Sequence, residues 1–555
     1  MRHRHSIKLL CFFLATIFLA GIAIAEPQTA GPAAYENVIP TLVVREKDQY
    51  HGNTVYVFKE DGSLWAWGNN SWGIAGSGTQ GHLLKPVKIM DGVSSVVAGE
   101  VRTYAIKTDG SLWGWGIEPL GTGTEDRSQV PIKIMDNVKS VYAGYMYTLV
   151  IRSDNSLWAW GINNCGQLGD GTFEHSFSPV KVMDDVYTCV ARPYYALAIR
   201  TDGSLWFWGE RYYTHYSSES IGSPIKVMDN VADVRASTLD KFYVLKKDGT
   251  LWAWGRNSSG ELGDGTTDFR TMDNAVEILD NVRALSGDVG NSQMYAIKED
   301  GSLWGWGAGD IGDGTYRNDK LSPVKIMDDV VFCAPYRALK SDGSLWTWGQ
   351  ENGTEHSSSL SPVKIMDNVA FIAHNRGESV LGSFHVLKKD GSVWAWGYNG
   401  VGQLGNGKTS NDLQLTPTKV IDGVKMPAAP PVEVKVTIDG RPLSFDVPAQ
   451  IINGRTMVPL RAIFEEMGAT IEWDGTKQTA TAKKGDNVVV LTIGSNSPTV
   501  NGRAVPIDQP GVVINGRTLA PLRFVAEAFG GTVQWDASTN TAQITKQSLA
   551  NHDTK

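Results

Sequence analysis

The string Leu-Trp-x-Trp-Gly, with Val replacing Leu once, occurs eight times in this chain. Its first Trp falls at Trp65, Trp113, Trp158, Trp206, Trp252, Trp304, Trp346 and Trp394. The spacing runs from 42 residues (Trp304 to Trp346) to 52 residues (Trp252 to Trp304). Self-similarity at such a period marks a repeat architecture, in which no unit buries its apolar face alone. Sixteen of the nineteen Trp lie in these motifs, so Trp is a feature of the repeat and not a scattered surface residue.

Each unit has one internal order. An apolar run such as Val141-Tyr142-Ala143-Gly144 precedes a strand-like segment, then Asp-Gly-Ser or Asp-Gly-Thr, then the Trp motif. A polar Gly/Asn/Asp-rich loop follows, and Pro-Val-Lys-Ile-Met-Asp closes the unit. Asp-Gly between apolar runs is a hairpin signal, since a primed two-residue turn needs positive φ. Asp61-Gly62, Asp109-Gly110, Asp202-Gly203, Asp248-Gly249, Asp300-Gly301, Asp342-Gly343 and Asp390-Gly391 fit it, and Asp154-Asn155 is the tolerated variant. The aspartates therefore read as turn residues rather than catalytic acids. On a strand, two Trp two apart share one face, while Leu and the central small residue share the other. Both faces are apolar, as radially stacked sheets require, and Pro at the head of the last segment suits an edge strand. The expected fold is mainly β: a β-propeller of eight four-stranded repeat units, with seven blades as the alternative, plus a small α+β two-repeat C-terminal domain.

Residues 42–424 resemble the regulator of chromosome condensation repeat family. The resemblance rests on apolar-Ala-Gly, Asp-Gly-Ser-Leu-Trp-Ala-Trp-Gly, Asn-Asn-x-Gly-Gln-Leu-Gly-Asp-Gly-Thr and Pro-Val-Lys-Val, and is closest in units three and eight. Members usually form seven-bladed propellers. The eight units here imply eight blades, or seven plus one displaced unit. Family members tend to carry His just before the second strand, where this chain has Arg102, Tyr147 or Tyr195. The resemblance also offers guanine-nucleotide exchange on a nuclear GTPase, which an export signal opposes, and inhibition of β-lactamases or related wall enzymes, as in some exported bacterial members.

Residues 425–431 (Lys-Met-Pro-Ala-Ala-Pro-Pro) read as a semi-rigid linker. Beyond it, in residues 432–546, Asn453-Gly-Arg-Thr-Met-Val-Pro-Leu-Arg461 recurs 62 residues on as Asn515-Gly-Arg-Thr-Leu-Ala-Pro-Leu-Arg523, and Trp473-Asp474 recurs as Trp535-Asp536. Each half reads as a hairpin around Asn-Gly-Arg, a helix, and two strands. Pro459 and Pro521 fit a first helical turn, and Gly468 and Gly530 fit C-terminal caps. Leu460, Ile463, Phe464 and Met467 space as an apolar face. This segment resembles the copper amine oxidase N-terminal-like (stalk) domain. The oxidase's tyrosine-derived cofactor needs an Asn-Tyr-Asp/Glu motif, and the chain has no Asn-Tyr pair and no His cluster. No cofactor and no metal site are expected. Arg455, Arg461, Arg517 and Arg523 are candidates for an anionic glycan, with a local tie to Glu or Asp as the alternative. Residues 547–555 read as a tail.

Residues 1–25 read as an export signal: Arg2, Arg4 and Lys8, an apolar run over 9–22, then Ala23-Ile24-Ala25. Residues 26–41 form an N-terminal segment. The net charge of −8 becomes −11 once the three signal cations leave, which argues against nucleic acid as a partner. Cys165, Cys189 and Cys333 form no disulfide framework, and Cys189 and Cys333 occupy the same repeat position as core residues. No nucleophile-elbow, zincin, P-loop or calcium-loop signature is present. The expected function is a secreted bacterial, non-catalytic binding scaffold. The propeller presents a loop rim to an extracellular or cell-surface protein, and the C-terminal domain attaches to cell-wall polymer. The chain is expected to carry no transmembrane segment after cleavage. The alternatives are an exported inhibitor of a wall-related enzyme and a polysaccharide-acting hydrolase or lyase. In unit four the loop after Trp-Gly gives way to Arg211-Tyr212-Tyr213-Thr-His-Tyr216; with Trp72, Tyr145, Tyr147, Tyr194 and Tyr195 these are the candidate partner contacts.

Overall fold

A computed structural model describes residues 42–426 and 434–546 apart from internal stretches, the longest being 46–52, 286–292, 350–358 and 374–382. Residues 1–41, read above as an export signal and an N-terminal segment, lie outside the described residues, as do the core of the linker and the tail. The chain divides into two compact units, Met1–Ala428 and Ala429–Lys555.

Among the described residues, the first unit forms eight antiparallel sheets of four strands, each sheet made from consecutive strands. Sheet three is typical: Val138–Ala143, Tyr147–Arg152, Leu157–Gly161 and Ser176–Met183. Burial follows the order of the strands. The second strand is buried almost throughout, while the fourth is an edge strand with exposed positions, and it carries the Pro. Sheet eight packs on sheet one through Phe371, Leu387 and Val393 against Leu42, Val55 and Trp67. Trp67 Nε1 donates to the Gln403 carbonyl at 3.0 Å, and Asn53 Nδ2 donates to Ser383 Oγ at 2.9 Å. The ring thus closes with eight blades and no displaced unit.

The Asp-Gly turns differ from the two-residue primed turn expected from sequence. Lys59 N bonds the Ser63 carbonyl at 2.9 Å and Gly62 N bonds the Lys59 carbonyl at 3.0 Å. The loop therefore has three residues, Glu60-Asp61-Gly62, and of these only Gly62 is left-handed (φ +78°). The reason is the aspartate. Its carboxylate accepts both the Ser63 amide (2.9 Å) and the Ser63 hydroxyl, and that hydroxyl accepts Trp65 Nε1 at 2.8 Å. The same Asp–Ser/Thr–Trp relay recurs in all eight units, from Asp109–Ser111–Trp113 to Asp390–Ser392–Trp394. The Ser or Thr hydroxyl, helped by its amide, holds each carboxyl below the usual range. A Lys or Arg two residues before the Asp lies over the same indole, as in Lys246 at 4.2 Å from Trp252.

The second Trp of the motif joins sheet to sheet. Trp115, Trp208 and Trp306 donate to the carbonyls of Ile74, Gln167 and Glu261, each in the long loop of the preceding sheet, at 2.8–2.9 Å. The tip of that loop then latches onto the next sheet's outer strand, as in Gly171 N to the Gly222 carbonyl at 2.8 Å and Gly407 N to the Leu84 carbonyl at 2.8 Å. Cys165, Cys189 and Cys333 are all buried, and Cys189 and Cys333 belong to different sheet interfaces.

At the closing seam, His385 occupies the register position held by Tyr56, Tyr104, Tyr243 and Tyr295 in other sheets. It is 1% exposed, and its Nε2 lies 2.8 Å from the Gln403 carbonyl, which requires the proton on that nitrogen. Burial pushes its pKa down from 6.5 to about 4. A neutral buried His contributes its full stability above pH 6.5 and loses it as the unfolded chain takes up a proton between pH 6.5 and 4, about 3 kcal/mol in all. His385→Tyr should flatten that window, as measured by chemical unfolding at pH 7 and pH 4.5. An unchanged pH dependence in the variant would contradict the assignment.

The second unit holds the two repeats. Strands Arg455–Pro459 and Arg517–Pro521 pair antiparallel with Val458 opposite Ala520, residues 62 apart, so the halves meet about a local two-fold. Helices Leu460–Glu466 and Leu522–Glu527 follow. Pro459 and Pro521 end the strands as N-caps instead of entering the first helical turn, because each still carries a strand pairing. Gly468 and Gly530 are left-handed, at φ +83° and +81°, as helix stops. Leu460, Ile463, Phe464 and Met467 enter the core with Leu522, Val525 and Phe529.

Candidate functional site

Antiparallel order sends every Asp-Gly turn, and every Met-Asp turn into the next sheet, to one end of the propeller. That end is uniform: the residue after Met-Asp (Leu-Asp in unit five, Ile-Asp in unit eight) is left-handed in all eight units, from Gly92 through Asn137 and Asp185 to Gly423. The connection between first and second strands and the long loop after Trp-Gly emerge at the other end. The sequence varies there, and the candidate contacts lie there.

The structure divides those candidates. Trp72 is 52% exposed in the sheet-one loop and holds a left-handed backbone (φ +65°) that Trp rarely adopts. Tyr145 and Tyr194 are half-buried in the short connections of sheets three and four. Tyr147 and Tyr195 are fully buried and must be withdrawn as partner contacts. Each begins a second strand and reaches the next sheet instead. Tyr147 Oη donates to the Tyr195 carbonyl at 2.7 Å, and Tyr195 Oη donates to the Ser237 carbonyl. Arg102, at the same repeat position, donates to the Tyr147 carbonyl at 2.7 Å and is 1% exposed. This position is a tie between blades.

In sheet four the long loop is replaced by an extension of two strands, Leu205–Thr214 and Ser217–Met228. Arg211 lies on it, paired with Asp273 of sheet five at 2.7 Å. Tyr212 pairs with Ser218 in its backbone ladder, Tyr213 lies at the register shift that follows, and Tyr216 lies outside the described residues. Sequence reasoning missed Phe173 (47% exposed) and Tyr316 (54%). Both directly follow a Gly-Asp-Gly-Thr loop, a signal that could have placed them on this end.

In the second unit, Arg455 pairs with Asp508, Arg461 with Glu465 at 3.6 Å, and Arg523 with Glu527 at 3.8 Å, all exposed, while Arg517 is exposed at the start of its strand. Trp473 and Trp535, equivalent across the two repeats, are 42% and 43% exposed. Residues 434–546 contain neither His nor Cys, so the donor set does not fit a copper centre. Among the described residues of the whole chain, no three His, Cys, Asp or Glu are grouped to hold a metal ion, and no helix is long and apolar enough to cross a membrane.

Comparison with known proteins finds the regulator of chromosome condensation (RCC1) repeat at residues 154–190 and 390–434, and a second model of that repeat at 138–167. The copper amine oxidase N-terminal domain matches at 437–544. The chain carries RCC1 repeats and a C-terminal copper amine oxidase N-terminal domain. It is 29% identical over 107 residues to the ultraviolet-B receptor UVR8 of Arabidopsis thaliana, covering 19% of this chain and 24% of that one. It is 32% identical over 87 residues to human protein RCC2, covering 15% and 17%. The matches thus span at most about a quarter of these relatives. Among solved structures, Prp20p from Saccharomyces cerevisiae, described with its binding to Gsp1p and histones, aligns at TM-score 0.43 and 17% identity, covering 65% of this chain and 86% of that one. Yeast RCC1 bound to Kap60 aligns at 0.45 and 16%, covering 72% and 88%.

Proposed function

We propose that this RCC1-repeat chain is an exported bacterial scaffold without catalytic activity, whose propeller binds a protein partner through its variable end. The C-terminal domain attaches it to cell-wall polymer. The observation that carries the reading is the contrast between the two ends. One is locked into eight copies of the same Asp–Ser/Thr–Trp turn. The other carries Trp72, Phe173, Tyr316 and the Arg211 extension on loops of different length. Aromatic and Arg side chains dominate the energetics of protein interfaces. Trp473 and Trp535 offer two equivalent flat apolar faces to a glycan polymer.

The test has two parts. Residues 26–424 and 432–555 are each mixed with isolated wall sacculi and sedimented. The C-terminal piece is expected in the pellet and the propeller in the supernatant; a soluble C-terminal piece rejects the attachment. Partners captured from an extracellular fraction by the full chain are then challenged with Arg211→Ala combined with Tyr212→Ala, Tyr213→Ala and Tyr216→Ala. At least about tenfold weaker capture is expected, equivalent to 1.4 kcal/mol or more. Undiminished capture would remove the extension from the interface.

A further inference from the structure

The propeller closes differently from the way its blades are joined elsewhere. In sheets two to eight the first strand is one piece that continues from the preceding sheet, as Val93–Ala98 does. In sheet one that strand is made from both ends of the propeller. Leu42–Arg45 supplies most of it, with Leu42 opposite Val57 and Arg45 opposite Thr54. Its first position, filled in sheet two by Val93 opposite Lys107, is filled by Val424 opposite Lys59. The Lys425 amide adds a bond to the Phe58 carbonyl at 2.8 Å. Val424 is fully buried in the cluster that joins Leu42, Val44 and Val57 to Phe371 and Leu387 of sheet eight. The chain that crosses this seam is thus held in sheet one by two residues, where every other crossing is held by a strand of 4–6 residues.

The polar contact at this seam differs too. At two other seams one loop carbonyl takes two donors. Tyr56 Oη and Trp115 Nε1 both reach the Ile74 carbonyl, at 2.5 and 2.8 Å. Tyr243 Oη and Trp306 Nε1 both reach the Glu261 carbonyl, at 2.5 and 2.9 Å. At the closing seam the shared carbonyl is that of Gln403. Trp67 donates to it from sheet one, and the donor from sheet eight is His385. A tyrosine in this position has no second site for a proton. The imidazole has one in Nδ1, which is buried and has no hydrogen-bond partner among the described residues. A proton there makes a buried cation whose new N–H meets no acceptor. From sheet one the ring meets Trp67, from its own loop the Gln403 carbonyl, and from sheet seven Arg337, a charge of the same sign at the same register position. Water relieves that cost, and the two-residue joint is where the ring has least to break to admit it.

We infer that the propeller parts at this one seam in acid: protonation of His385 separates sheet eight from sheet one while the other seven seams stay closed. Val424 and Lys425 then leave Lys59 and Phe58, and Gln403 gives up both of its donors. Each blade keeps its own four-stranded sheet, so the change is a local opening of the ring and not an unfolding of it.

The test is hydrogen exchange of the full chain at pH 7 and pH 4.5, read by mass spectrometry and corrected for the intrinsic pH dependence of exchange. The reporters are amides bonded across seams. Gly407 to the Leu84 carbonyl and Lys425 to the Phe58 carbonyl report on the closing seam. Gly265 to Leu321 and Gly314 to Leu360 report on two others, in loops that contain no His. Protection at Gly407 and Lys425 should fall by about fiftyfold at pH 4.5, the ratio for a group whose pKa is about 4 in the closed seam and 6.5 in the open one, while Gly265 and Gly314 change by less than about threefold. Equal loss at all four amides, or no loss at the closing seam, overturns the inference. His385→Tyr installs the residue that the two seams above use, and should remove the acid response at Gly407 and Lys425. A folded variant that keeps the response also overturns the inference. If that variant does not fold, the wild-type pH profile decides. A fall that sets in below pH 6.5 and levels off towards pH 4 belongs to the imidazole. One that begins only below about pH 4.5 belongs to carboxylates and rejects His385 as the trigger.

Discussion

Trp208→Ala should lower the unfolding free energy of the propeller by about 3–5 kcal/mol, among the largest single losses the first unit can suffer. Trp208 is fully buried, donates to the Gln167 carbonyl at 2.9 Å, and is covered by the sheet-three loop through Gly169. Its removal leaves a cavity at the interface of two sheets and an orphaned carbonyl on the loop that spans them. Trp206, two residues earlier, provides the control. It is half-buried, bonds only the Ser204 hydroxyl at 2.9 Å, and lies under Arg200. Trp206→Ala should cost about 1–2 kcal/mol, the sum of one modest hydrogen bond, a cation–π contact and partial burial. Urea unfolding of the full chain, followed through the propeller's transition, separates the two. Equal losses would show that the second Trp is not the element joining the blades.

The blade count and the two faces of the Trp strand were legible in the sequence because the repeat states them eight times. The turn type was not. Asp-Gly fits both a two-residue primed turn and a three-residue loop, and the choice depends on whether the Asp carboxylate caps the amide two residues on, as it does for Ser63. Which candidate contacts stand exposed was half legible. Arg211 and Trp72 stand out in sequence as departures from the repeat. Tyr147 and Tyr195 stand out equally but face the next sheet, because a first-strand connection of three residues leaves the start of the second strand inside the ring. Phe242 and Phe384 could have been read as compensation. Each stacks on the second Trp of its own sheet, at 5.0 and 5.4 Å, where the preceding unit's sequence lacks the Leu-Gly loop. In the C-terminal domain the 62-residue offset showed the two repeats, but nothing in it revealed that equivalent Trp are left exposed.

Gly161→Ala should be more damaging than a small substitution suggests, with an expected loss above about 4 kcal/mol. Gly161 follows the second Trp of sheet three at φ +120°, a conformation closed to L side chains without strain. An added Cβ would lie 2.4 Å from the Met146 carbonyl oxygen and 2.5 Å from Tyr147 Cα. Both are backbone atoms, one at the start of the paired strand and one directly before it, so neither moves without displacing the strand. Gly62→Ala is the comparison: it too is left-handed, at φ +78°, but a Cβ there meets nothing within 4 Å. It should cost only the conformational penalty of about 1–2 kcal/mol. The difference tests whether close approach, rather than glycine's φ, sets the Trp-Gly pattern. It also reaches the proposed binding end. Met146 sits beside Tyr145 in the connection whose carbonyls hold Arg102, and Tyr147 carries the tie to sheet four. A Gly161→Ala protein that still folds at low temperature should therefore show altered amide resonances at residues 144–147 and 192–195, with the Asp-Gly-Ser end unchanged. Perturbation spread evenly over both ends would instead mean that the two ends are not separately supported.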